Sequence, residues 1–271
     1  IETKLIKELT SMLKESREDY EKFFKAFGAN IKFGVYDQFG MNKDKLKDLL
    51  IFYSSSEKKM VTLQEYVSRM KEGQEAIYYA CGETTDKIDL TPQVEQVKDK
   101  GYEILYCTDY VDEFALQTLM TYEEKKFLNV AKDNLNLDTE EEKEEIKKLN
   151  EDNKDMFTLM KETLPDIKEV RFTNRLKTHP VCLVSEGNIS IEMEKVINAM
   201  PTDEQIKADK VLEINKDHKI AKKLEHLYET DKEALKDYTK ILYAEARLIE
   251  GLPIDNPTEI TSLICDKLAA E

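Results

Sequence analysis

The stretch AIYYACGETTDKIDLTPQVEQVKDKGYEILYCT, residues 76–108, decides the fold. Its ends, AIYYACG and YEILYCT, are short runs rich in β-branched and aromatic residues, the composition that packs well on a pleated surface. Between them Thr91 reads as a helix N-cap, Pro92 as the first helical residue and Gly101 as the stop. Strand, helix and strand within about thirty residues is a parallel βαβ unit, because parallel strands need a crossover that a tight turn cannot supply.

Upstream, the first fifty residues read as helices. Leu5, Leu9, Met12 and Leu13 share one stripe, and Tyr20, Phe23, Phe24 and Phe27 share another that ends at Gly28. Asn42 caps a helix through Leu46, Leu49 and Leu50, and TLQE at 62–65 is a capping box that opens a helix over YVSRM. Downstream, a helix runs from Asp112 to Met120. Apolar density then falls at KDNLNLDTEEEKEE, which places a domain boundary near Val130 and gives domains 1–130 and 131–271.

In the second domain, residues 139–142 form another capping box, opening an acidic helix that becomes amphipathic at Met156, Leu159, Met160 and Leu164. Its charged half reads as a solvated face. IKEVRFTNRL and VCLVSE read as an antiparallel pair turning at 178–180, followed by a helix from Ile189, a strand VLEIN and three closing helices. The last two are opened by residues 230–233 and by Asn256 with Pro257. They carry the stripes Leu235, Tyr238, Ile241, Leu242, Ile249 and Ile260, Leu263, Ile264, Leu268. Such stripes are long for a chain terminus, and pairing two copies would cover them in a four-helix bundle about a two-fold axis. The fold class is therefore mixed α+β and α/β, rich in helix: a small βαβ subdomain, then a domain with a short sheet and a helical dimerisation bundle.

Composition narrows the function. The 271 residues are 36% charged and 41% hydrophobic, and 41 Lys plus Arg against 56 Asp plus Glu give a net charge of −15. An acidic chain lacks the basic face that nucleic-acid phosphates need. No apolar run approaches the ~20 residues of a membrane span and no signal-peptide pattern opens the chain, so nucleic-acid and membrane partners are not expected and the compartment reads as cytosolic. Eight Gly, six Pro and no Trp favour long helices over a barrel or sandwich. Cys81, Cys107, Cys182 and Cys265 form no CxxC pair and read as small buried hydrophobes. There is no GxGxxG, GxxxxGK[ST], HExxH or GxSxG. His218 and His226 stand eight apart, too far for the i, i+4 pair that binds one metal, and His179 is the third histidine. From pattern alone no catalytic constellation emerges.

Longer motifs carry a resemblance. EKFFKAFGANIKFGVYDQFGMNKDKLKDLLIFYSS at 21–55 and TLQEYVSRMKEGQEAIYY at 62–79 resemble the heat shock protein 90 chaperones, in their bacterial form. KGYEILYCTDYVDEF, RLKTHPVCLVSEG, VLEIN followed by DH, and LIEGLPIDNP extend the match to the final helix. The resemblance implies the distal part of that family's middle domain in 1–130 and its C-terminal dimerisation domain in 131–271. The ATP-binding domain, and the middle-domain arginine that approaches the ATP phosphates, are then expected upstream of Ile1. ATP and Mg would belong to the full-length parent and no cofactor to this part. The acidic MEEVD tail of eukaryotic cytosolic members is missing from the ending CDKLAAE.

Two helical wheels bear on function. The helix from Asp112 places Ala115, Leu116, Leu119 and Met120 on one arc and Phe114 nearly opposite, beside Gln117. Contact with a neighbouring helix or domain would explain Phe114. The resemblance instead implies client contact at Glu113, Phe114 and Gln117, with Phe and Gln where bacterial relatives can carry Trp and Asn. In the second wheel Ile189, Met193, Val196, Ile197 and Met200 share an arc of about 100 degrees. Such a stripe is usually core. The resemblance implies a projecting amphipathic helix that offers Ile189, Met193, Val196 and Ile197 to non-native client proteins. The leading expectation is a homodimeric, client-binding part of an ATP-driven chaperone. Its competitors are a structural homodimer scaffold that binds no client, and an enzyme in its own right.

Overall fold

In the computed structural model, residues 2–132, 135–201 and 205–269 are described. The chain forms two compact units, Ile1–Leu90 with Val97–Val130, and Thr91–Gln96 with Ala131–Glu271. The chain passes from the first to the second at Val130. The short crossover Thr91–Gln96, between the two parallel strands in sequence, belongs to the second unit.

The first unit runs α1 (Glu2–Glu15), α2 (Arg17–Gly40), α3 (Lys43–Leu46), a 3₁₀ turn at Lys47–Leu49, β1 (Ile51–Ser54), β2 (Met60–Thr62), α4 (Leu63–Ser68), β3 (Ala76–Cys81) and α5 (Thr85–Asp89). The crossover continues through a 3₁₀ turn at Pro92–Val94 and α6 (Glu95–Asp99) to β4 (Ile104–Cys107), α7 (Asp112–Leu119), β5 (Thr121–Tyr122) and β6 (Lys125–Asn129). β3 and β4 pair in parallel, Tyr78 opposite Ile104, and every residue of β4 is buried. Strands covered on both faces lose the in-out alternation, which is why these runs read as continuously apolar.

The sheet is wider than the sequence indicated, six strands in the order β2-β1-β4-β3-β6-β5. The helix expected from Asn42 through Leu46, Leu49 and Leu50 is shorter, and β1 follows directly on it without a strand signal of its own. The helix stops at Leu46 and the 3₁₀ turn hands the chain to Ile51. β6, KKFLN, has too few alternating positions to signal a strand, yet it lies parallel beside β3. Gly28 does not stop α2. A Cβ there would lie 2.6 Å from the Phe24 ring, so the glycine makes room for packing and the helix continues. Regular helix ends instead at Tyr36, beyond which Asp37, Gln38 and Phe39 leave helical geometry.

The second unit holds α8 (Glu140–Asp152), α9 (Lys154–Thr163), β7 (Ile167–Thr173), β8 (Val181–Glu186), α10 (Ile191–Asn198), β9 (Asp209–Asn215), α11 (Lys219–Thr230), α12 (Lys232–Ile249) and α13 (Pro257–Ala269). Both capping boxes form, at Thr62 with Glu65 and at Thr139 with Glu142. The sheet order is β7-β9-β8, so the expected hairpin between β7 and β8 is corrected: β9 lies between them, parallel to β7 and antiparallel to β8. Charge links β9 to β7. Glu213 on β9 is buried between Arg171 of β7, at 2.8 Å, and Arg175 just beyond it, also at 2.8 Å. Burial alone would raise this carboxyl, and the two guanidinium groups hold it below its ordinary value. The core joins Met156, Met160, Phe172, Leu183, Leu212 and Leu224 with residues of α12. Among the described residues no helix is long and apolar enough to cross a membrane.

Candidate functional site

In the first unit α7 packs along α2. Its N-terminus is anchored by Lys32, whose ammonium lies 2.6 Å from Asp112 and 2.8 Å from Asp109 and over the rings of Phe24 and Phe52. Burial would lower this ammonium, but the two carboxylates keep it above its ordinary value. Asp112 in turn is pushed up by burial despite Lys32. Lys32 was not singled out in the sequence. The available signal was its place on the buried stripe, four and eight residues after Gly28 and Phe24.

The three client-contact positions implied on α7 separate. Glu113 is buried, 3% exposed, and its carboxylate accepts from the buried Asn129 amide at 2.8 Å and from Gln117 at 3.4 Å. Its expected surface role is corrected: β6, which the sequence reading lacked, supplies the amide that turns it inward. Phe114 is half-buried, its ring edge-on to Tyr36 of α2 at 5.6 Å. The neighbouring-helix explanation therefore accounts for part of this aromatic, while the rest of the ring stays open. Gln117 is half-buried beside it.

In the second unit the helix expected from Ile189 begins at Ile191, with Ser190 as N-cap accepting from Met193 N–H at 3.0 Å. Ile189 precedes the helix and is half-buried against the core, Ile191 lies inside that core, and Met193 is 6% exposed. Val196 and Ile197 are half-buried. The projecting, open stripe is thus corrected at Met193. The polar side of α10 is engaged as well: Glu194 accepts from Ala208 N–H at 2.6 Å and pairs with Lys210 at 2.5 Å, and Lys195 donates to the Glu250 carbonyl at 3.1 Å. The wheel passed over Ile191 because that residue lies about 200 degrees from Ile189, on the side opposite the apolar arc.

The closing helices divide differently. Leu235 and Leu242 are buried in the unit's own core, which removes them from any dimer interface, and Tyr238 packs partly against that core. Ile241 is half-buried and Ile249 exposed. On α13 no residue is buried: Ile260, Leu263 and Ile264 are half-covered and Leu268 is 70% exposed. Two ion pairs tie α13 to α12, Lys240 to Glu259 at 2.7 Å and Lys267 to Asp237 at 2.8 Å.

Chemistry is sparse elsewhere. Cys107 is raised by burial and Cys81, facing it across the strands, by Cys107 and then by burial, so both stay protonated and poorly nucleophilic. His218 caps α11 by accepting from Ile220 N–H, and His179 lies 2.8 Å from Glu95. Burial would raise Glu95, but bonds from Thr178, the Lys177 N–H and His179 hold it down to about 2. Among the described residues no group of three His, Cys, Asp or Glu could hold a metal, and the sequence has no glycine-rich phosphate loop. No catalytic step is assigned to these residues. What the geometry offers is surface: an open aromatic edge by α7 and an apolar face on α13.

Comparison with known proteins agrees on one family. A sequence model described as "Hsp90 protein" matches residues 1–271. The chain is 56% identical over 266 residues to "Chaperone protein HtpG" of Oceanobacillus iheyensis, covering 98% of this chain and 42% of that protein. Proteins of the same name from Clostridium botulinum and Bacillus subtilis are 55% and 53% identical, with the same coverage. The chain thus spans less than half the length of the curated relatives it matches.

Proposed function

The chain belongs to the Hsp90 protein family, and from that premise we propose that it is the dimerisation and client-binding part of an ATP-dependent bacterial chaperone. In this reading the first unit corresponds to the distal middle domain and the second to the C-terminal dimerisation domain. The observation that carries it is α13, a 13-residue helix with four large apolar side chains and no buried residue. Full burial of such a side chain is worth roughly 1.5 to 3 kcal/mol, and with three of the four half-covered a second copy laid against this face would gain the part the monomer lacks. Homodimerisation through Ile260, Leu263, Ile264, Leu268 and the exposed Ile249 follows, without Leu235 and Leu242.

Client binding is supported by the relatives' name as chaperones and by the open edge of Phe114 beside Tyr36. Non-native proteins expose apolar segments, and an apolar edge on an acidic, soluble chain suits them. ATP binding and hydrolysis would belong to the remaining length of the parent, in keeping with the 42% coverage. Calorimetry with ATP should give no saturable heat from this chain; saturable binding would overturn that assignment. The scaffold reading, a homodimer with no client binding, keeps support from the burial of Met193 and Glu113. An aggregation-suppression assay separates the two. Slowed aggregation of a heat-denatured protein by the dimer is expected, and no effect at stoichiometric excess favours the scaffold.

A further inference from the structure

Two of the four cysteines, separated in the sequence by residues 82–106, are brought together by the sheet of the first unit. β3 ends at Cys81 and β4 at Cys107, the strands run parallel, and their register sets these two residues directly opposite each other. Residues opposite each other on neighbouring strands point to the same face of the sheet. Here α7 covers that face. Cys107 belongs to the buried cluster that holds Tyr79, Leu105, Ala115 and Leu116, and Cys81 packs against it. The Gly82 N–H donates to the Cys107 carbonyl at 3.1 Å, which fixes the two strand ends side by side. Both thiols are free, and they share a hydrogen bond.

Neighbouring strands lie about 4.8 Å apart, within the roughly 4.4 to 6.8 Å that separates the Cα atoms of bridged cysteines. The Cβ atoms of a disulfide stand closer, at about 3.8 Å, so closure would draw the strand ends together and leave a bond that reductants open readily. Access is unequal: Cys81 is half-buried at the strand end, and Cys107 is 1% exposed. Charge selects among the products. Asp112 and Glu113 of α7 act on both sulfurs, and the Lys32 ammonium of α2 acts on Cys107. A sulfinate, a sulfonate or a metal thiolate would bury negative charge beside those two carboxylates. A disulfide is neutral and apolar and meets no such cost.

We propose that Cys81 and Cys107 form a reversible redox modification site, at which a hydroperoxide oxidises Cys81 and Cys107 resolves it into an intrachain disulfide. The Cys81 sulfur, as thiolate, attacks the outer oxygen of the hydroperoxide. The O–O bond breaks, the leaving alkoxide or hydroxide takes up the proton the thiol released, and Cys81 carries a sulfenic acid. The Cys107 sulfur then bonds to the Cys81 sulfur, and the displaced hydroxide leaves as water with the Cys107 proton. Two thiols lose two electrons and two protons, and the hydroperoxide is reduced to an alcohol and water. The bond closes a ring over residues 82–106 and locks β3 to β4. Because the thiolate is the reacting form and both thiols are raised by their surroundings, the reaction is slow at neutral pH and quickens as pH rises.

The test uses the chain with Cys265→Ser, which removes the exposed thiol of α13. It is treated with excess hydrogen peroxide, then unfolded, alkylated with iodoacetamide and weighed intact and as peptides. The proposal expects one alkylated cysteine, Cys182, a peptide pair joining Cys81 to Cys107, and recovery of all three thiols with dithiothreitol. It also expects unchanged circular dichroism before unfolding, and a rate at least ten-fold higher at pH 9 than at pH 7. Cys107→Ala should leave Cys81 as a sulfenic acid that dimedone traps, and Cys81→Ala should leave Cys107 open to alkylation after unfolding. Three alkylated cysteines, a link that includes Cys182, irreversible oxidation of Cys81 with Cys107 present, or a rate that does not change with pH would each overturn the proposal. So would a link that forms only as the circular dichroism is lost, because the oxidation would then belong to the unfolded chain.

Discussion

α10 and α13 of the second unit carry apolar residues at the same helical spacing and end in opposite situations. Ile191 and Met193 are inside, and α10 is further fixed by Ser190, Glu194 and Lys195. α13 buries nothing, and its ties to α12 are ion pairs between partly exposed groups, each worth about 0 to 1 kcal/mol. A stripe announces that something will cover it. Whether the cover is the chain's own core or another molecule depends on neighbours in space, which periodicity does not report.

The largest effect should come from α10. Ile191→Ala removes a fully packed side chain and should lower stability in urea by roughly 2 to 5 kcal/mol, independently of protein concentration. Leu263→Asp with Ile264→Asp should act through association instead, making the unfolding midpoint independent of concentration while the unit still folds. Concentration-independent losses of equal size at both sites would break the contrast.

A second test lies where α10 meets the end of α12. Glu250, bonded to the Gln93 amide, is pushed up to about 7 by burial. Its folded pKa lies above the ordinary 4.5, so the stability tied to the neutral form is present below about 4.5 and is lost as pH rises through 7. Glu250→Gln removes this titration. It should match the native chain near pH 4.5 and exceed it by roughly 2 to 3 kcal/mol at pH 8, measured by urea midpoints. A difference that does not vary with pH would mean that Glu250 ionises freely. The smallest effect belongs to α13's ion pairs: Lys267→Ala should cost under about 1 kcal/mol and fade in 0.5 M salt.

Local signals in the sequence transferred well. Thr62 with Glu65 and Thr139 with Glu142 form the capping boxes their spacing announces, and residues 76–107 form the parallel pair. Each of these needs only a few neighbouring residues. The features that were not legible depend on distant partners. β9 lies beside β7, where its buried Glu213 pairs with Arg171 and Arg175, and Glu113 turns inward to meet Asn129 of a strand with little pattern of its own. Phe114 was visible as an aromatic off the core stripe. Met120 read as part of the same helix's apolar arc and is instead 67% exposed, because α7 stops at Leu119 and the next residue turns out of helical geometry.

The solution mass of the chain tests the central claim that a second copy covers α13. Light scattering at micromolar concentration should return twice the 31.6 kDa of one chain, and the Leu263→Asp, Ile264→Asp variant should return 31.6 kDa with its helical circular dichroism retained. A native chain at 31.6 kDa, or a variant that keeps the doubled mass, would contradict the account.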